Sequence, residues 1–273
     1  MAKSPVSHPT DKSSSVGTPV CCWKLEKAAR KYGALRIAGV DEVGRGPMFG
    51  PVVAGAVILA PRCRLEGLND SKKISEKMRN QLDVEIRENA VAWAIAAVDV
   101  ETIDRINIRN ASLLAMKLAV EQLALTPDYL LIDGIDTIDF ACPQQAVVRG
   151  DGTSFSIAAA SILAKVYRDR LIVELDSQYP GYGLASHKGY CSAEHLAALA
   201  RLGPTPLHRR NWSPVAQTMF EFPPPSSCAP PGTAPPTSTH PPGCHTAPEP
   251  QRPPQSAPPH PSGSARCRTP PAT

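Results

Sequence analysis

Residues 39–59 read GVDEVGRGPMFGPVVAGAVIL. Two apolar runs rich in β-branched residues, 35–40 and 52–59, flank a Gly/Pro loop, the pattern of two strands of a hairpin. Asp41 and Glu42 close the first run at that turn, directly ahead of Gly44-Arg45-Gly46. Adjacent carboxylates at the end of an apolar strand repel one another and resist desolvation, so a compensating cation is the economical reading.

Outward from this stretch, 75–89 (SEKMRNQLDVEIREN) opens on a Ser cap and carries Met78, Leu82 and Ile86 at helical spacing. Residues 91–98 read as a third strand. Residues 101–125 read as one long amphipathic helix with Leu113, Leu114, Leu118 and Leu123 inward, stopping before Pro127. A fourth strand, 129–132, runs into Asp133-Gly134, and a short fifth, 146–148, runs into Gly150-Asp151-Gly152. Two further helices span 156–177 and 192–202, the latter capped by Ser192 and closed at Gly203. Strands and helices in this order indicate a mixed sheet with helices on its faces. Acidic positions 41, 133 and 151 fall at strand ends, from which side chains far apart in sequence converge.

Composition divides the chain unevenly: 18 of its 30 prolines follow residue 222. That tail, 221–273, has too few branched apolar residues to offset the entropy of ordering and reads as disordered. Residues 1–34 read as a mostly disordered segment without the basic start and apolar centre of a signal peptide. One folded domain, 35–220, remains. The longest apolar run, 52–60, is far short of the ~20 residues that span a bilayer, so no membrane is expected. Eight cysteines show no Cys-x-x-Cys or zinc spacing, which points to reduced thiols in a cytoplasmic protein. A net charge of +4 is mild, so nucleic-acid binding has to come from local basic clusters.

Asp41, Glu42, Asp133 and Asp151 each follow apolar segments. Such a set calls for a hard cation, Mg²⁺ or Mn²⁺, with oxygen ligands. Two ions ~3.5 to 4 Å apart activate water and stabilise a leaving oxygen in phosphodiester cleavage. Taken singly, Asp-Gly at 133 and at 151 is equally common turn chemistry. Gly44-Arg45-Gly46 is no dinucleotide fingerprint, because Phe49 holds the third glycine position and Pro47 interrupts the turn. The glycines either bring bare backbone groups against a ligand, with Arg45 reaching a phosphate or sugar oxygen, or form an ordinary hairpin loop. Ser71 and Lys72, ahead of a helix, hold a phosphate or serve as a solvated cap. Lys165 with Arg168, and His208-Arg209-Arg210, are solvated faces or the lining of a backbone groove. Tyr190 beside Lys188 is a stacking ring or a core residue.

Together, GVDEVGRGP, LNDSKKIS, LLIDG, GDGTSFSIAAASILAKVYRD, YPGYGLASHKGY and GPTPLHRRNWSPV resemble the ribonuclease HII family, bacterial type 2 ribonucleases H, from about residue 35 to 215 and in the family's order. The resemblance implies an α/β fold, a ribonuclease H-like mixed central sheet flanked by helices, with a helical C-terminal subdomain ahead of the disordered Pro-rich tail. It implies that Asp41, Glu42, Asp133 and Asp151 form the catalytic carboxylate set, with Asp41, Glu42 and Asp133 as ligands of Mn²⁺ or Mg²⁺. Gly44, Arg45 and Gly46 would read the ribose 2′-OH, the group that separates RNA from DNA, and Tyr190 would pack on the following sugar. Lys72, Lys165 and the basic helix positions would hold phosphates. The activity implied is hydrolysis of the RNA strand of RNA/DNA hybrids and cleavage 5′ to ribonucleotides embedded in duplex DNA. Two metal ions would assist it, and 3′-hydroxyl and 5′-phosphate ends would result. A monomer is expected.

Cys191-Ser192 replaces the family's Gly-Thr, Phe49 is bulkier than the loop's usual residue, and Ile135 replaces a polar one. Residues 217–222 loosely resemble a sliding-clamp peptide, and a helix end fits them better. Readings from other classes are a catalytically silent hybrid binder, disfavoured by the intact carboxylates, and a scaffold driven by the Pro-rich tail.

Overall fold

In the computed structural model, β1 (Ile37–Val43) and β2 (Val52–Leu59) pair antiparallel, Ala38 opposite Ile58 and Val43 opposite Val53. The structure describes residues 21–61, 63, 65–68, 71 and 74–221. β3 (Ala90–Val98) continues the antiparallel meander on β2, while β4 (Tyr129–Asp133) and β5 (Gln144–Val147) add in parallel on the other side of β1. The sheet order is β3-β2-β1-β4-β5. This is the mixed sheet flanked by helices that the sequence suggested.

The remaining elements are α1 (Lys24–Lys31), α2 (Glu76–Asn89), α3 (Val100–Ile106), α4 (Ile108–Glu121), α5 (Phe155–Gln178), α6 (Leu184–His187), α7 (Ala193–Leu202) and α8 (Ser213–Glu221). Strand alternation sorts β1 between two cores. Ala38 and Val40 pack with Ala111, Ala115 and Ala119 of α4 on one face. On the other, Ile37 meets Ile157 of α5, and Gly39 lets that helix close on the strand. A Cβ at Gly39 would lie 2.0 Å from the Ser156 carbonyl carbon, and one at Gly55 would lie 2.5 Å from the Ala160 oxygen. Helix α5 thus sits on the sheet with no side-chain layer between at those points. Among the described residues, no helix is long and apolar enough to cross a membrane.

Two expectations change. The single helix over 101–125 is broken at Asn107, whose φ of 67° lies in the left-handed region that Asn tolerates. Its side chain then accepts the Asn110 N–H at 3.1 Å, so one residue ends α3 and caps α4. The inward stripe of α4 consists of Ala111, Ala115, Met116, Ala119 and Val120, with Leu113, Leu114 and Leu118 on its rim and Leu123 buried beyond the helix end. An alanine-rich sheet, with Ala38, Ala54, Ala56, Ala94 and Ala96, lets the helix approach on its small residues.

The domain boundary also moves. Ordered packing begins before residue 35: the Cys22 N–H donates to the Thr153 carbonyl at 3.0 Å and the Trp23 ring lies 5.1 Å from Phe155. In α1, Glu26 and Ala29 are buried. The polar composition of the first twenty residues concealed a short amphipathic helix immediately after them. Residues 1–20 and 222–273, and with them the expected disordered tail, lie outside the described residues.

Candidate active site

The acids stand inside β1, not at the turn: Asp41 lies opposite Gly55 and Glu42 opposite Ala54. The pleat sends them to opposite faces, which relieves part of the repulsion that adjacency suggests. Asp41, on the α5 side, is buried, accepts the Glu42 N–H at 2.7 Å and is hydrogen-bonded by Ser161. Glu42, on the α4 side, lines a cleft of about 330 Å³ with Arg45, Arg109, Ser112, Asp133 and Asp136. Asp133 ends β4, one step beyond the Val40–Ile132 pair that joins it to β1. Its Oδ1 accepts the Gly150 N–H at 2.6 Å, and that bond draws in the 3₁₀ turn, Gly150–Gly152, that carries buried Asp151.

The four carboxylates bear on one another's ionisation. Burial first, then Glu42, Asp133 and Asp151, push the Asp41 carboxyl well above the usual range. Burial also raises Glu42, with Arg45 opposing the rise and Asp133 adding to it. The Arg45 guanidinium lies 3.1 Å from Glu42 Oε1. As the side chains stand, no group of three or more His, Cys, Asp or Glu among the described residues is arranged to hold a metal ion. Glu42 is drawn to Arg45 and Asp133 to the Gly150 N–H. The donor set nevertheless fits a hard divalent cation, since it is all oxygen, largely buried and short of positive charge.

The loop after β1 meets the Tyr190 segment. The Met48 N–H donates to the Gly189 carbonyl at 3.1 Å, and a methyl at Gly46 would lie 3.5 Å from the half-exposed Tyr190 ring. Gly44, Arg45, Gly46 and Tyr190 are therefore together. Lys165 sits one turn after Ser161 on α5 and pairs with Asp169 at 2.7 Å. Lys72 lies outside the described residues, though its neighbour Ser71 contacts Ser161 Oγ at 3.0 Å.

Arg168, His208 and Arg209 do not line a phosphate groove, because all three are buried. Arg168 donates to the carbonyls of Phe49, Pro51 and Lys188, and Arg209 to those of Gly44, Arg45 and Gly50. Phe49 faces inward, edge-on to His208 with centroids 5.0 Å apart, and anchors the loop. Ile135 is exposed at the cleft, and Cys191 is exposed beside Ser192, which caps α7 through the His195 N–H.

Sequence reading missed Glu26. This buried carboxylate accepts from Ser154 Oγ at 2.6 Å and from the Ser156 N–H at 2.9 Å, at the start of α5 and beside the Asp151 turn. The one signal was the alternation of Leu25 and Ala29 with polar residues after the breaker-rich start. Also missed was the Arg109–Asp136 pair, 2.6 Å apart in the cleft, from residues 27 apart in sequence.

A family model described as Ribonuclease HII matches residues 38–215. The Ribonuclease HII of Geobacter sp. (strain M21) is 52% identical over 200 residues, 73% of this chain and 87% of that relative. The ribonuclease H2 from Pyrococcus horikoshii OT3 superposes with a TM-score of 0.60 at 25% identity, covering 69% of this chain and 99% of that one. A chain from the structure of the PCNA:RNase HII complex from Archaeoglobus fulgidus gives 0.57 at 29% identity, covering 65% and 95%.

Proposed function

The chain belongs to the ribonuclease HII family, hydrolytic endonucleases, and on that premise we propose that it cuts duplex DNA on the 5′ side of embedded ribonucleotides, as well as the RNA strand of RNA/DNA hybrids. The observation that carries the reading is the meeting of Asp41, Glu42, Asp133 and Asp151 at one end of the sheet, with the Gly44–Gly46 loop and Tyr190 beside them.

Asp41, Glu42 and Asp133 would hold Mg²⁺ or Mn²⁺, with Asp151 completing the carboxylate set. Bound there, two such ions would supply a nucleophilic hydroxide at neutral pH and neutralise charge on the leaving oxygen. The residues of the chain do the rest. Glu42 exchanges Arg45 for a new partner, which frees the exposed guanidinium for a substrate phosphate or sugar oxygen. The Gly44–Gly46 backbone takes the ribose 2′-OH, and Tyr190 packs on the next sugar. Lys72 and Lys165 would hold phosphates. Water attacks phosphorus in line and the 3′-oxygen leaves, giving 3′-hydroxyl and 5′-phosphate ends without a covalent enzyme intermediate. Positioning and charge stabilisation account for the rate. The setting is a cytoplasmic monomer that supports removal of ribonucleotides from DNA. A sliding clamp is a weaker proposal: residues 217–221 lie in α8, and Phe222 lies outside the described residues.

The test is cleavage of duplex DNA carrying one ribonucleotide, in Mg²⁺, Mn²⁺ or EDTA, by wild type and Asp133→Asn. Loss of one carboxylate should lower the rate by roughly 10³-fold or more, since several kcal/mol of charge stabilisation go with it. EDTA should stop wild type. Tight binding by wild type without cutting in either metal would instead make the protein a silent hybrid binder.

A further inference from the structure

Among the described residues, every hydrogen bond donated by the fully buried Arg168 and Arg209 goes to a main-chain carbonyl. A buried guanidinium without a carboxylate partner is costly, so its donors are informative. Arg209 donates from Nη2 to Gly44 O at 2.6 Å, from Nη1 to Arg45 O at 3.0 Å and from Nε to Gly50 O at 3.0 Å. Trp212 lies under the same guanidinium, 4.8 Å from its ring centroid, and donates from Nε1 to Gly46 O at 3.4 Å. All three carbonyls of Gly44-Arg45-Gly46 are thus held from behind.

A trans peptide points its N–H opposite the preceding C=O. Arg209 pulls Gly44 O and Arg45 O into the interior and so turns the N–H groups of Arg45 and Gly46 outward. Neither N–H has a hydrogen-bond partner among the described residues. Gly44 takes a backbone conformation that other residues rarely adopt, with φ +92°, and its missing Cβ leaves room for the Arg168 side chain, whose Nε would lie 2.3 Å from it.

Resting on the ribonuclease HII reading above, we propose that Arg209 is the positioning residue for sugar discrimination, holding the Arg45 and Gly46 N–H donors at the spacing that receives a ribose 2′-oxygen. Arg168 is its internal control. It is equally buried and also binds three carbonyls, Phe49, Pro51 and Lys188, none of them in residues 44–46. Lysine keeps the charge at either site but lacks the planar fork that spans two carbonyls.

The experiment measures binding by fluorescence anisotropy in Ca²⁺, with one duplex carrying a single ribonucleotide and one of DNA throughout, and kcat and KM in Mg²⁺. Wild type should prefer the ribonucleotide duplex. Arg209→Lys should shrink that preference by about tenfold, the size of a lost hydrogen bond to a misplaced donor, while all-DNA affinity stays put. Its kcat/KM should fall by on the order of 10²-fold. Arg168→Lys should keep the preference even where it lowers thermal stability. General loosening would weaken both duplexes together, so an unchanged ratio in Arg209→Lys, or an equal collapse in Arg168→Lys, overturns the inference. If Arg209→Lys does not fold, Arg209→Gln decides: a single amide nitrogen then replaces the two that hold Gly44 O and Arg45 O, and an undiminished ratio overturns the inference as well. A wild type that cleaves no ribonucleotide duplex would instead sink the functional reading itself.

Discussion

The two loops that flank the carboxylates are held by opposite charges. The loop after β1 is held through its carbonyls by two guanidiniums, Arg209 on residues 44 and 45 and Arg168 farther along on residues 49 and 51. The turn before α5 is held through an N–H and a hydroxyl, by the carboxylate of Glu26. A backbone loop offers two sets of polar groups, and whichever set a buried charge takes, the other is left to face the ligand. The cationic clamp leaves N–H donors outward beside the cleft. The anionic clamp finishes the cap of a 24-residue helix, supplementing Ser154, and so fixes the turn that presents Asp151. The clamps also come from opposite ends of the domain: Glu26 precedes β1, whereas Arg168 lies on α5 and Arg209 ahead of α8.

Breaking the anionic clamp should have the largest effect on stability. Glu26→Ala removes the acceptor of two buried bonds, at 2.6 and 2.9 Å, and strands their donors. Charge-assisted bonds with buried donors left behind cost about 3 kcal/mol, read as a drop in the urea midpoint at constant slope. Glu26→Gln, which still accepts, should recover roughly half. Cleavage should slow through Asp151, yet sugar preference should hold, because no bond of Glu26 reaches residues 44–46. A change in sugar preference in Glu26→Ala would show that the clamps are one unit.

The charge between the clamps should show a smaller effect of opposite sign. Burial and three neighbouring carboxylates keep Asp41 well above the usual carboxyl range. In EDTA, Asp41→Asn should therefore raise stability by on the order of 1 to 2 kcal/mol while abolishing cleavage, the trade-off expected of a strained site. A destabilised Asp41→Asn in EDTA would mean that the Ser161 and Glu42 N–H bonds outweigh the repulsion.

The cationic side was hardly legible in the sequence, and the reason is physical. Periodicity located β2 to the residue and α2 and α7 by their Ser caps, because burial of one face writes itself into spacing. Strand ends placed Asp41, Glu42 and Asp133 in one region, and the structure brings them together. A buried arginine, in contrast, has the same letter as a solvated one. Arg168 and Arg209 read as groove lining because nothing local tells that five of their six partner carbonyls lie 117 to 165 residues away. Asn107 and Glu26 escaped for related reasons: a cap inside an apolar pattern keeps the pattern, and eight helical residues after a polar start look like more of the start.

The outer wall of the cationic loop should add a pH dependence of its own. Tyr190 O accepts from His195 Nδ1 at 2.9 Å, His195 Nε2 lies 3.2 Å from His208 Nε2, and His208 Nδ1 accepts from the Thr205 N–H at 3.0 Å. These contacts assign one consistent neutral chain, with His208 Nε2–H donating to His195 Nε2, and a further proton on His195 Nε2 would set two N–H groups against each other. Burial pushes His195 down to about 4 and His208 to about 3. With folded values below the unfolded ~6.5, the unfolded chain takes up protons first. The stability they contribute is complete above ~6.5, erodes below it, and is lost through the folded values. From pH 8 to pH 6 each histidine should cost roughly 0.8 kcal/mol, the smallest of these effects, read as a shift in urea midpoint. Asp41 and Glu42, whose carboxyls are raised, act in the opposite sense as pH falls, so the comparison is with His208→Gln, which leaves them in place. That variant should lose part of the pH slope. Equal slopes in wild type and His208→Gln would mean that the histidine chain already carries a proton at neutral pH, and that Tyr190 is steadied by other contacts.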